Sequence, residues 1–387
     1  MLSTLVNHND DIRRLVEKGY AVSVDSEFLV VRDIPYLDQD KALQVGAIIS
    51  KMVPINQHRV QLEDHQIFFC GSHPCQTDGS LIANLGGGPV TLQLTSPDLV
   101  VQRSFSNKPA NGFADFYEKI ESYVTIFSGP AMSLFDTTPL TFNTQEEVGT
   151  SVFKIRDSLT SRAEIGDLAT CFRDDIIAII GLGGTGSYVL DFLSKTPVKE
   201  IRGFDGDWFY PHNAFRSPGW AGVNNLGKRK ADVYQSIYET LREGVRMETK
   251  YILTDSFDEM EGVTFAFVCV DKGEARAGII DLLKQKNIPF LDVGMGLSRD
   301  KGPISGMQRV TSVAAGSVDS ILGKQWIPLS DPPDDIYRNN IQIGELNALN
   351  ACLAVIKYKQ LRGFYNDDCG FSQLLFTLDS LHIATEP

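Results

Sequence analysis

An α/β fold with a doubly wound sheet, preceded by a smaller α+β domain, follows from three features of the sequence. The chain has 387 residues, and single cores rarely grow past about 250 residues, so two domains are predicted. From Asp175 onward strand-like and helix-like segments alternate, the pattern of a sheet with helices on both faces. A glycine loop stands directly between the first apolar strand and the first helix of that series. The predicted domains are residues 1–150 and 151–387.

In the first domain, short strand-like pieces lie at Ala21–Val24, Glu27–Arg32, Ala47–Ser50 and Gln66–Cys70, and a helical stretch follows around Phe113–Ile126. Gly86–Pro89 reads as a loop, and Pro130–Asn143, with its prolines and hydroxyl residues, as a connecting segment. In the second domain, Ile176–Ile180 is a continuous apolar run of the kind that fills buried parallel strands. A helix is predicted to about Leu193, then a strand at Glu200–Phe204, a long irregular stretch at Asp205–Gly227 and a helix over Lys228–Leu241. Strands are expected near Tyr251–Leu253, Thr264–Val270 and Pro289–Val293, with a helix between the last two. The series closes with a helix over Glu345–Leu361, where Leu346, Leu349, Leu353 and Ile356 recur at helical spacing as one apolar face.

Composition excludes several classes. A formal charge of −13 argues against nucleic acid as the main partner, since phosphate backbones are bound by net cationic surface. No run of 18 apolar residues exists, so no membrane span is expected, and the N-terminus shows no secretory signal. The 6 cysteines form no C-x-x-C pair and no zinc spacing. A reduced, cytoplasmic location is the expectation.

Gly181-Leu-Gly183-Gly184-Thr-Gly186 satisfies G-x-G-x-x-G. Glycines let the backbone turn tightly and approach phosphates, while the helix start presents free N–H groups to negative charge. By itself the loop fits NAD, FAD, S-adenosylmethionine or ATP, or a tight turn that binds nothing. Asp205, 24 residues after Gly181, could hold a ribose. The chain then continues with Asp207, Asn213 and Arg216, so a second carboxylate, an amide and a guanidinium crowd one strand end. Nicotinamide binding leaves these unexplained, whereas a triphosphate with Mg²⁺ uses all of them. The plain structural reading, a solvated turn with capping aspartates, accounts for one aspartate better than for the whole set.

These residues resemble the D-x-D-x5-N-x2-R motif of the ThiF/MoeB and ubiquitin-activating-enzyme adenylyltransferases. The resemblance extends over about 200 residues. Gly227-Lys-Arg-Lys230 is similar to that family's G-x-P-K helix start, Val268-Cys-Val-Asp271 to its C-x-D-N strand end, and Arg276 stands at a familiar arginine position. The implied fold is a Rossmann-like sheet of the ThiF/ubiquitin-activating type. The implied cofactors are ATP and Mg²⁺, with Asp205 on the ribose, Asp207 near the metal and the reacting phosphate, Asp271 at the metal or positioning the attacking carboxylate, and Asn213, Arg216 and Lys230 on the triphosphate. An additional arginine would come from a homodimer partner; Arg162 is the candidate and Arg173 the runner-up. Lys272 replaces the family's Asn, and Ser217 its Gln.

No cysteine lies in Gly294–Tyr337, where thioester-forming members often carry one; Cys352, Cys369 or Cys75 are the alternatives. Cys75 beside His73 could be a reactive thiol, or the His73-Pro74 turn a faint likeness to ubiquitin-conjugating folds with Ile82 near the cysteine position, or simply a buried hairpin turn. The first domain resembles an uncharacterised domain fused ahead of bacterial ThiF-type domains, which points to partner recognition. The resemblance implies an adenylyltransferase that activates the C-terminal carboxylate of a small ubiquitin-like protein or a peptide. Alternatives are activation of a peptide or tRNA-bound carboxylate, and a non-catalytic nucleotide-binding scaffold.

Overall fold

The computed structural model describes residues 2–143, 151–155, 157, 159–160, 163, 165–299, 301–331 and 341–387. It divides into two compact units, Met1–Ala163 and Glu164–Pro387.

The first unit opens with two helices, α1 (Leu2–His8) and α2 (Asp10–Lys18). Six antiparallel strands then pair in the order β1-β2-β3-β5-β7-β6: Ala21–Asp25, Phe28–Leu37, Leu43–Pro54, Ile67–Cys70, Val100–Phe105 and Gly88–Gln93, with β4 (Val60–Leu62) hung on β3. One face packs Leu29, Val31 and Ile48 against α3 (Phe116–Leu134) and α2; the other gathers Val30, Ala47 and Ile49 with Leu99 and Val101. That period of two is the pleat of a strand covered on both faces.

Two expectations are corrected here. The helix runs on through Pro130 to Leu134, so the connecting segment is shorter than Pro130–Asn143. Proline removes only one intrahelical bond so close to a helix end. Gly88 and Pro89, read as loop, begin β6, and the turn is made by Gly86 and Gly87 at φ of 61° and 71°.

In the second unit, β8 (Ile176–Ile180), β9 (Glu200–Phe204), β10 (Val245–Glu248), β11 (Phe265–Val268) and β12 (Phe290–Ser298) are parallel, in the order β10-β9-β8-β11-β12. Helices α4 (Gly184–Ser194), α5 (Lys230–Tyr238) and α6 (Gly273–Gln285) connect them. Three antiparallel strands follow on the β12 side: β13 (Ser305–Val313), β14 (Gln373–Thr377) and β15 (His382–Glu386), with α7 (Gly344–Leu361) between β13 and β14. The apolar run of β8 is explained by its neighbours. Ile177 and Ile179 pack with Val189, Leu190, Ala354 and Tyr358 on one face, and Ala178 and Ile180 with Ile279 and Leu283 on the other. Each fully buried isoleucine contributes about 1.5–3 kcal/mol.

The strand expected at Tyr251–Leu253 is absent; the edge strand is Val245–Glu248, and Tyr251 lies in the irregular segment after it. A half-exposed edge strand needs no apolar run, which is why Arg246 and Glu248 can occupy it. The buried face of α7 also differs from the expected leucine stripe. It is Leu346, Asn347, Asn350, Ala351, Ala354, Val355, Lys357 and Tyr358, while Ile356 is exposed. Small and amide side chains let α7 pack close to α4.

Candidate functional site

Register levels the ends of the three central strands. Ile180 is paired with Phe204 on one side and with Val268 on the other. Gly181, Asp205 and Cys269 therefore leave the sheet side by side, where strand order reverses between β8 and β11. In open α/β sheets that crevice is the ligand-binding position.

The glycines of the loop have different reasons for being glycine. Gly181 has φ +94°, a conformation that side chains rarely adopt. A Cβ on Gly186 would lie 1.9 Å from the Gly181 carbonyl oxygen, so this residue allows α4 to start against the loop. A Cβ on Gly184 would sit 2.3–2.6 Å from the Asn347 amide, which lies across it from α7. Thr185 donates to Asn347 Oδ1 at 3.0 Å, closing that contact. Gly183 alone of these four meets nothing within 4 Å. Packing does not demand glycine there; close approach of a ligand would.

Asp205 is buried at the end of β9 and ties the two turns together. Its Oδ2 accepts the Leu182 N–H at 2.8 Å and its Oδ1 the Asp207 N–H at 2.8 Å. Lys230, at the start of α5 and 5% exposed, reaches between two carboxylates, 3.4 Å from Asp205 and 2.9 Å from Asp207. The Asp207 side chain itself is 55% exposed. Its other oxygen accepts the Tyr251 hydroxyl at 2.7 Å. Burial pushes the Asp207 carboxyl up, but the Tyr251 and Lys230 hydrogen bonds and the nearby charge of Lys272 outweigh it and hold it below its ordinary value.

Asn213 is buried, and its Oδ1 accepts the Tyr210 N–H at 2.9 Å, capping the short helix Pro211–Ala214. Its carbonyl accepts the Ser217 hydroxyl at 2.6 Å, and Ser217 in turn accepts from Tyr234 of α5 at 3.0 Å. This chain of bonds fixes the segment that carries Arg216. The Arg216 Nε is buried and has no hydrogen-bond partner among the described residues. Burial lowers the affinity of its guanidinium for its proton, while Asp271, exposed just beyond β11, opposes this. A buried, unpaired guanidinium N–H is costly unless a ligand completes it.

The structure thus gathers Gly181–Gly186, Asp205, Asp207, Asn213, Arg216, Lys230 and Asp271 around the ends of β8, β9 and β11. Arg162 lies outside the described residues, and Arg173 is exposed just before β8. Arg276 is buried in structural bonds, to Asp292 at 3.0 Å and to the Pro328 and Val270 carbonyls. Tyr251 and Lys272 were not singled out as site residues by the sequence. Tyr251 is 44 residues from the carboxylate it holds, and no local pattern announces it.

The cysteines separate by burial. Cys75 is fully buried, its Sγ donates to the His73 carbonyl at 3.3 Å, and burial raises its pKa. It is a packed turn residue rather than a nucleophile. Ile82 is buried beside the same turn. Cys352 is half-buried with its pKa raised by burial, and Cys369 is exposed. Among the described residues no three His, Cys, Asp or Glu side chains gather as a metal site, and no helix is long and apolar enough to cross a membrane.

A parallel sheet that begins at its centre and winds both ways, with a glycine loop after its first strand, defines a Rossmann-type domain. Residues 169–304 match the model of the ThiF family, and residues 10–158 match that of the Domain of unknown function (DUF6791). The second unit therefore carries a ThiF-family domain, behind a DUF6791 domain. Over 150 residues the chain is 27% identical to Ubiquitin-like modifier-activating enzyme 5 of Drosophila virilis, covering 34% of this chain and 36% of that relative. It thus spans little more than a third of the relative's length. Among solved structures, PaaA shows a TM-score of 0.43 at 17% identity, over 57% of this chain and 75% of its own. E. coli MccB solved with ATP shows a TM-score of 0.43 at 14% identity, over 57% and 64%.

Proposed function

We propose that the second unit is an ATP- and Mg²⁺-dependent adenylyltransferase that activates the C-terminal carboxylate of a small ubiquitin-like protein or a peptide. The observation that carries this reading is the cluster at the ends of β9 and β11: a buried lysine between two carboxylates, facing a loop whose Gly183 is open, with a buried arginine N–H still unpaired. A nicotinamide site would use Asp205 and leave Asp207, Lys230 and Arg216 without a task.

In the proposed reaction an acceptor carboxylate oxygen bonds to the α-phosphorus of ATP, the bond to the bridging oxygen breaks, and pyrophosphate leaves with that electron pair. The N–H groups at the start of α4 would hold phosphate oxygens, aided by the helix dipole. Asp205 Oδ1, with one internal partner, retains a lone pair for a ribose hydroxyl. Arg216 and Lys230 would take up charge as pyrophosphate departs. Mg²⁺ would neutralise phosphate charge, and the residues fit it: magnesium is typically bound by one or two carboxylates plus substrate phosphates, and Asp207 and Asp271 are both exposed here. An ionised carboxylate needs no general base. Homodimerisation, with an arginine such as Arg162 supplied by the partner, belongs to the same proposal, as does recognition of the acceptor by the first unit.

The test is pyrophosphate release from Mg·ATP in the presence of small proteins with free glycine-rich C-termini, beside the same proteins amidated at that end. Release confined to free carboxylates, and abolished in Asp207→Ala with the fold unchanged, is expected. Equal release with amidated acceptors, or full activity in Asp207→Ala, overturns the reading.

A further inference from the structure

The glycine of Asp205-Gly206-Asp207 has no φ in the left-handed region, so its backbone conformation does not require glycine. Its neighbour does. A Cβ on Gly206 would meet the Tyr251 ring at 2.4–2.8 Å, because that ring lies flat over the turn. The opposite side of the ring is open, since Tyr251 is 63% exposed. The hydroxyl of this ring donates to Asp207 Oδ1 at 2.7 Å while Lys230 donates to Oδ2 at 2.9 Å. With one oxygen held by each donor, rotating the carboxylate plane breaks both hydrogen bonds. Arg229 supports the same turn from below, donating to the Gly206 carbonyl at 2.7 Å with its guanidinium over Trp208.

We propose that Tyr251 is the positioning residue of Asp207, seated on Gly206 so that the carboxylate is oriented before nucleotide and cation arrive. This inference rests on the adenylyltransferase reading for its purpose but not for its physics. The charged groups around Asp207 are Lys230 from α5, Lys272 at the start of α6, Asp205 two residues upstream, and Arg229 beyond the ring. Only the Tyr251 bond can be removed without changing the charge among them. Loss of that bond leaves the carboxylate held by Lys230 alone and frees it to rotate. Gly206→Ala displaces the ring and does the same by a different route.

Two measurements on the full chain test this. The first is the melting temperature without any ligand, in the wild type, Tyr251→Phe and Gly206→Ala. The second is ATP affinity with Mg²⁺ and with chelator in the same three proteins. The expected result is an intact fold and about a three- to tenfold loss of affinity for Mg·ATP in both variants, with binding of metal-free ATP unchanged. Wild-type affinity for Mg·ATP in both variants, or an equal loss for metal-free ATP, overturns the inference. A wild-type affinity that ignores Mg²⁺ overturns the adenylyltransferase reading itself, and is seen before any variant is compared.

Discussion

Lys119 of the first unit and Lys230 of the second are both buried, and comparing them shows how partners rather than burial decide what a charge does. Lys119, on α3 of the first unit, is fully buried; its Nζ donates to the Ser50 hydroxyl at 3.0 Å and the Asp64 carbonyl at 2.9 Å, with the Asp64 carboxylate 3.9 Å away. Neutral oxygens complete its hydrogen bonds but compensate little of its charge, and burial pushes its pKa down to about 8. Lys230 in the second unit is nearly as buried but lies between two carboxylates. Lys119 anchors a helix to a sheet. Lys230 holds charge in place at the rim of an open loop.

The largest expected effect is from Lys230→Met, which leaves buried Asp205 and half-exposed Asp207 facing each other. Breaking a buried pair from one side costs about 3–5 kcal/mol, and the exposure of Asp207 places this one at the lower end. The three tryptophans, Trp208, Trp220 and Trp326, all lie in the second unit, so a lower denaturant midpoint in tryptophan fluorescence reads this loss. Arg216→Met should separate stability from function. Its removal eliminates a desolvated charge with an unpaired N–H, so the denaturant midpoint holds. Pyrophosphate release should fall by about 10²–10³, the usual consequence of losing one transition-state donor. A midpoint that falls with activity would make Arg216 structural.

The effect at Lys119 is confined to high pH and appears as a pH dependence. Its folded-state pKa lies below the unfolded value of 10.5. The unfolded chain therefore holds the proton more tightly, and stability rises with pH between about 8 and 10.5. Below that window the lysine is charged in both states, and the full cost of burying it is present. Lys119→Met should remove this rise, on the order of 3 kcal/mol across the window. Hydrogen exchange of first-unit amides in the full chain measures it, and identical pH profiles would contradict this account of Lys119.

Legibility in the sequence followed how local the physics was. Ile176–Ile180 was readable to the residue because a strand buried on both faces writes itself as an apolar run, and Glu200–Phe204 was placed to the residue although Glu200 and Arg202 interrupt it. The edge strands Val245–Glu248 and His382–Glu386 carried no such run, since they face solvent. The buried face of α7 was misread because its closest contact is an amide, Asn347 against Gly184, rather than a leucine. At the candidate site, residues adjacent in sequence to the glycine loop and to Asp205 could be named in advance. Tyr251 could not, because what places it is the absence of a side chain on Gly206, and Lys119 could not, because Ser50 and Asp64 approach it only in the folded sheet.

Thermal stabilisation followed by tryptophan fluorescence tests the central claim most directly, with Mg·ATP, ATP plus chelator, and NAD added separately. A ligand at about 100 times its Kd adds roughly 2.7 kcal/mol, a rise in Tm of a few degrees. The account predicts a rise with Mg·ATP, a smaller one when Mg²⁺ is chelated or Asp207 is replaced by alanine, and none with NAD. A rise with NAD alone, or none with Mg·ATP, contradicts it.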